Sequence, residues 1–391
     1  MPAESKMRAL IVTLYAPENV RNLGNTLQHY ALQEAVKSLG YEAGSLICPL
    51  IEPDFTLAAK NRINAVIKFP AKLAKHAAKI ALSLIAPEKY REYMRRKSAF
   101  TLNTKRRGDI FAEFYDKFIG GKIYSAYREV LSAGEKYTAG RDIIIAGSDQ
   151  VWAKRIVLTD EALRYYYLFW AEKEKRACYA PSYGDTLPDS REYPIHKEGL
   201  EGFQLLSCRE KSGCGFIREL TGRVAELVLD PVLLLTAEQW RKISRRPDFD
   251  VPDHYVLRYC WKPESWRGEQ DRIAGGMKII DVYDPFNEYC GRTGPREFIW
   301  LVEHADVVFS ESFHGTAFSV MFGKKFLSFM TERKDGGRIE TLLSSLGLEG
   351  NIYAPRMISV PDDIDYAAVM SKLHALRGVS LKYLRGCLKI Q

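Results

Sequence analysis

The chain predicts an α/β fold of two parallel-sheet units facing a cleft. Short apolar runs alternate with helical patterns over most of the length, the signature of strands joined by helical crossovers. With 391 residues there is material for two cores of ordinary size. A proline-bearing stretch, Arg245-Arg246-Pro247-Asp248-Phe249-Asp250-Val251-Pro252, reads as a linker, and the alternation restarts beyond it. The expected division is therefore 1–247, with a helical insertion at about 56–120, and 248–391, whose final helices pack back on the first unit.

In order, 8–14 is a strand, 23–39 a helix closed by Gly40, and 42–47 the next strand, which together make one βαβ start. A helix around 110–118 follows the insertion. Then come buried strands at 142–146 and 176–180, and runs at 203–207 and 225–229 that continue the sheet around a helix at 211–220. The second unit reads as strand 255–259, helix 265–274, strand 278–282, helix 296–304, strand 307–309, helix 316–322 and strand 325–329.

The composition, 46% hydrophobic and 27% charged, excludes disordered and fibrous classes. No apolar run approaches the roughly 20 residues that cross a bilayer, and the first residues lack a signal-peptide core, so a cytoplasmic protein is expected. Seven scattered cysteines without CxxC or Cys/His spacing imply no metal. The net charge of +8 is concentrated: 56–107 carries fourteen Lys/Arg against Glu88 and Glu92, with aliphatics near helical spacing. Such a basic helix pair suits the inner membrane surface, or is a solvated insertion packed on its own unit. Nucleic acid is not expected, since stacking aromatics and a recognition motif are missing.

One segment carries chemistry by itself. Ser310-Glu311-Ser312-Phe313-His314-Gly315-Thr316-Ala317-Phe318 places an imidazole where an apolar strand gives way to a helix. Helix N-termini present unpaired N–H groups and partial positive charge, so His314 would stand beside a bound anion. Ser148, Ser182, Arg209 and His314 all fall at the carboxyl ends of strands, where ligands of such sheets bind.

That nonapeptide resembles the signature of the polysaccharide pyruvyltransferase family. Three more segments match the family in the same order: residues 22–33 (Asn22-Leu23-Gly24-Asn25-Thr26-Leu27-Gln28 onward), 144–152 (containing Gly147-Ser148-Asp149-Gln150), and Ser207-Cys208-Arg209-Glu210 followed by Leu229-Asp230-Pro231. The resemblance implies two Rossmann-like domains in a GT-B-like arrangement. It also implies transfer of pyruvate from phosphoenolpyruvate, a donor substrate with no cofactor, to a sugar of a surface polysaccharide or its lipid-linked precursor, giving a cyclic ketal. His314 matches the family histidine and is expected to serve as acid and base. Glu311, where the family usually has aspartate, would orient the imidazole, accept a hydroxyl proton, or cap the helix. Arg209 would hold the donor's anionic groups bidentately, or pair with an aspartate. Ser312 is assigned to the substrate, and Arg338 to the donor phosphate or to a surface salt bridge. Asn25, Gln28, Ser148, Asp149, Gln150 and Ser182 are expected at the acceptor, or else as caps and packing groups; Asp230 is expected only to shape a turn. A nucleotide-sugar glycosyltransferase of GT-B type and a non-catalytic glycan-binding protein remain as alternatives.

Overall fold

Strands buried on both faces show as continuous apolar runs, and the central strands of the first sheet, at 9–12 and 143–146, are such runs. The computed structural model describes residues 6–15, 22–49, 86–153, 156–157, 159–330 and 337–389. In it β1 (Arg8–Val12), β2 (Glu42–Ile47), β3 (Lys122–Tyr124), β4 (Ile143–Ala146) and β5 (Arg176–Cys178) form one sheet in the order β3-β2-β1-β4-β5. Every pairing is parallel, and this is the Rossmann order. A second parallel sheet takes β8 (Tyr255–Tyr259), β9 (Lys278–Asp281), β10 (Val307–Ser310) and β11 (Lys325–Ser328) in the order β11-β10-β8-β9. The expected fold class of two Rossmann-like sheets is thus the one adopted. Strand order reverses between β1 and β4 and again between β8 and β10, so each sheet has its crevice at those carboxyl ends.

Eight helices frame or brace these crevices: α1 (Leu23–Ser38), α2 (Pro87–Phe118), α3 (Lys211–Thr221), α4 (Pro263–Ala274), α5 (Pro295–His304), α6 (Phe313–Met321), α7 (Arg338–Leu346) and α8 (Tyr366–Cys387). The crossover α1 belongs to the first sheet, yet it shares one apolar cluster with the second. Tyr30 of α1 lies 5.6 Å from Trp240, and Trp240 lies 5.0 Å from Phe318 of α6. That packing brings the N-terminus of α1 to the N-terminus of α6.

Three expectations change. The runs near 203–207 and 225–229 do not extend the first sheet; β6 (Ser207–Cys208) and β7 (Glu226–Leu227) pair separately around α3. The stretch 245–252 has no regular structure but is no free linker. Phe249 and Val251 are buried, and Arg245 pairs with Glu297 of α5. The helix near 110–118 is the end of the 32-residue α2; residues 51–85, the rest of the expected basic pair, lie outside the described residues. Lys89, Arg91, Arg95, Arg96 and Lys97 of α2 are exposed. Arg107 is buried instead, donating from Nη1 to the carbonyls of Val282 (2.6 Å) and Cys290 (2.9 Å). The insertion therefore braces the loop after β9 of the second sheet as well.

At the far end of the chain, α8 lies across the first sheet. Leu384, Cys387 and Leu388 join Ala9, Ile11 and Ile145 in one cluster, and Tyr41 donates its hydroxyl to the Leu388 carbonyl. Among the described residues no helix is long and apolar enough to cross a membrane.

Candidate active site

β10 ends at Ser310, whose Oγ accepts from Ser312 N (2.9 Å) and donates to the Ser312 carbonyl (3.0 Å). This turn sets Ser312 as N-cap of α6, its hydroxyl accepting from His314 N at 3.2 Å. The helix thus starts at Phe313, three residues earlier than the sequence predicts, and His314 stands inside its first turn. The imidazole is buried, and Nε2 has no hydrogen-bond partner among the described residues; the anion facing it is Asp230, with Oδ2 at 3.6 Å. Gly24 of α1 covers the ring. A Cβ at that position would sit 1.9 Å from His314 Nδ1, so only glycine lets the two helix ends meet.

Behind the histidine is a buried ionic network. Arg209, one residue past β6, donates from Nη1 to Asp230 Oδ2 and from Nη2 to Asp149 Oδ1 (2.9 Å), with its guanidinium 5.1 Å over the Phe313 ring. Asp230 also accepts from Ser148 Oγ (3.4 Å) and caps Val232 N (3.1 Å). Asp149, at φ 71°, accepts from Asn25 Nδ2 at 3.2 Å. Gln28 donates to Thr13 Oγ1 (3.0 Å) and accepts from Ser148 Oγ (3.0 Å), while Thr13 Oγ1 donates to the Ser148 carbonyl (2.8 Å) across the ends of β1 and β4.

Burial by itself drives Asp149 and Asp230 toward the protonated form. For Asp149 the charge of Arg209, and for Asp230 that of His314 followed by Arg209, outweighs this and holds both below the ordinary aspartate range. Burial likewise opposes the charge on Arg209, and its carboxylates overcome it, raising its pKa. Glu210 behaves differently. Burial raises its pKa despite Arg209, its Oε1 accepts from Tyr183 N (2.7 Å), and Oε2 has no hydrogen-bond partner among the described residues.

The structure brings His314, Arg209, Asn25, Gln28, Ser148, Asp149 and Ser312 into one site, and it changes several roles. Arg209 does not offer a free fork to a donor anion, because both terminal nitrogens are taken by aspartates; it takes the ion-pair alternative. Asn25, Gln28, Ser148 and Asp149 are buried and bonded to one another, the arrangement of the capping and packing alternative. Glu311 does not orient the imidazole. Its Oε1 accepts from Trp266 Nε1 (3.0 Å) and its Oε2 from Lys262 N (2.8 Å) at the start of α4. Ser182 is buried, accepting from Gly184 N (2.9 Å), and Gln150 is half-buried against Gly184. Arg338, at the start of α7, pairs with Asp185 at 2.8 Å. Sequence reasoning missed Asp230, which follows an apolar run just as Arg209 does, and it gave Gly24 no partner.

The family model for polysaccharide pyruvyl transferase matches residues 22–333, most of the chain. The chain belongs to that family. Among curated proteins no sequence match was found. Solved structures similar in outline include a UDP-GlcNAc 2-epimerase of Methanocaldococcus jannaschii, at 12% identity and TM-score 0.48, covering 98% of this chain and 100% of that one. An alpha-glucosyltransferase in complex with UDP and a 13-mer DNA gives 8% identity and TM-score 0.45, with 97% and 95% covered. Scores this low say nothing about chemistry. The family match covers the ends of β4, β6 and β10 and the start of α1, the four segments that meet at His314.

Proposed function

We propose that the protein transfers pyruvate from phosphoenolpyruvate to two hydroxyls of one sugar in a polysaccharide or its lipid-linked precursor. The observation that carries this is the His314 imidazole, in the first turn of α6, with Nε2 unbonded among the described residues and a carboxylate 3.6 Å away. As an acid, His314 gives a proton to the methylene carbon of the donor, and C2 becomes an oxocarbenium-like centre. A sugar hydroxyl bonds to C2 and its proton returns to the imidazole. Phosphate then departs with its bonding electron pair, the second hydroxyl closes the ring, and the proton it loses leaves with phosphate. The balance is one ketal and one inorganic phosphate per donor.

Phosphoenolpyruvate is an anion, so a positive counterpart is needed. The N-terminus of α6 supplies it, and Asp230 faces the imidazole at 3.6 Å. The test is a thermal-shift titration with phosphoenolpyruvate beside uridine and cytidine nucleotides, followed by phosphate release with saccharide acceptors. A ligand at a hundredfold excess over its Kd stabilises by about 2.7 kcal/mol. Stabilisation by phosphoenolpyruvate alone is the expected result; stabilisation by a nucleotide alone overturns the reading.

A further inference from the structure

Asn25, Gln28, Ser148 and Asp149, four of the polar side chains expected at the acceptor, are bonded to one another, which turns attention to other surfaces for the sugar. At the carboxyl ends of β8 and β9, Trp261 is 42% exposed, and its ring stands 6.0 Å from that of Tyr283 at an interplanar angle of 82°. The exposed indole of Trp261 and the half-buried ring of Tyr283, in edge-to-face contact, make an aromatic notch. We propose that Trp261 and Tyr283 are the acceptor platform, on which a pyranose ring stacks while its hydroxyls reach toward His314. The proposal rests on the pyruvyl-transfer reading for the reaction at that histidine.

Two features place and stiffen the notch. Tyr259, one residue before Cys260, lies 6.3 Å from the Trp261 ring and accepts a hydrogen bond from Leu23 N (3.3 Å), beside Gly24. Its ring also packs on the turn that carries the histidine, since a Cβ on Gly315 would be 3.2 Å from Tyr259 Cδ1. Trp261 is therefore one aromatic layer away from the His314 turn. On its other side, Lys262 N is held by Glu311, so the backbone is fixed on both flanks while the indole faces outward. This also gives Glu311 a purpose that orienting the imidazole did not: it is a positioning residue for the platform.

The chemistry fits a sugar. One face of a pyranose is a set of axial C–H groups carrying partial positive charge, which matches the negative face of an aromatic ring, and a rigid side chain loses little entropy in making the contact.

The test uses the full chain and calorimetric titration with lactose, maltose and N,N′-diacetylchitobiose, with and without phosphoenolpyruvate. At least one of these binds wild type, W261A weakens it by about tenfold or more, as for a truncated aromatic anchor, and W261F restores most of the loss. Tyr124, 56% exposed at the end of β3, is the control, and Y124A leaves binding unchanged. Equal binding by wild type and W261A, a larger loss in Y124A, or no binding of any of the three sugars to wild type overturns the platform. Melting temperatures and the shift with phosphoenolpyruvate are unchanged in all variants. If that shift is missing from wild type while the Trp261 contrast holds, the pyruvyl-transfer reading falls and the platform stands.

Discussion

The two walls of the crevice are made of opposite materials. The wall formed by the first sheet, α1 and the β6–β7 pair, which carries Arg209 and Asp230, is polar, buried and closed on itself: Asn25, Gln28, Ser148 and Asp149 each find partners inside the protein. The second-sheet wall presents Trp261 and Tyr283, with His314 behind them, and the carboxylate of its turn, Glu311, is tied back to α4. One wall is bonded within itself, and the other carries the proposed acceptor contact. A residue's polarity therefore does not report whether it touches substrate, because a buried polar group is as often a brace.

The sharpest way to separate the walls is His314→Ala. Losing a general acid and base costs about 10²–10⁴-fold in rate, read as phosphate release from phosphoenolpyruvate in the presence of acceptor, with the melting temperature nearly unchanged. A collapsed melting temperature would make His314 a brace like its neighbours. Next is Arg209→Met, which strands two buried carboxylates and is expected to lower stability by about 3–5 kcal/mol in denaturant unfolding. Arg209→Lys recovers little, since an ammonium cannot span both aspartates. A loss of phosphoenolpyruvate binding at full stability would return Arg209 to the substrate.

Gly24→Ala tests the seam between the walls. Its methyl would overlap the imidazole, and overpacking of this kind costs about 1–3 kcal/mol, with a fall in turnover larger than the stability loss alone would give. The smallest effect is pH dependence. Asp149 and Asp230 have lowered folded pKa values, so the stability they contribute is present above the ordinary aspartate value near 3.8 and is lost as pH falls through the folded values. Glu210, raised by burial, has the opposite sign: its contribution is present below about 4.5 and lost as pH rises through its folded value. Glu210→Gln is therefore expected to raise the melting temperature at pH 7 and not at pH 4; equal shifts at both would sink that assignment.

Much of the fold was legible because parallel strands buried on both faces are plain apolar runs, as at Ala9–Val12 and Ile143–Ala146. His314 was legible for a local reason: a strand end and a helix start are adjacent in sequence. What was hidden was tertiary. Arg209 finds Asp230 and Asp149 at separations of 21 and 60 residues, and nothing in the local pattern around any of the three selects the others. The two-residue strands β6 and β7 are too short to show a period, and α2 has too few apolar positions to reveal its full length. Trp261 was passed over because a single tryptophan after a strand reads as core until its exposure is known.

The return of α8 to the first sheet has a consequence for how the protein is made. Tyr41 and Leu388 are 347 positions apart, and the face of β1 and β4 covered by Leu384 and Cys387 stays open until that helix leaves the ribosome. Synthesis runs from the N-terminus at about 5–20 residues per second. The first sheet is thus the earliest made and among the last completed, and for roughly 10 seconds or more at that pace the part of its apolar face beyond α1 is open to chaperones.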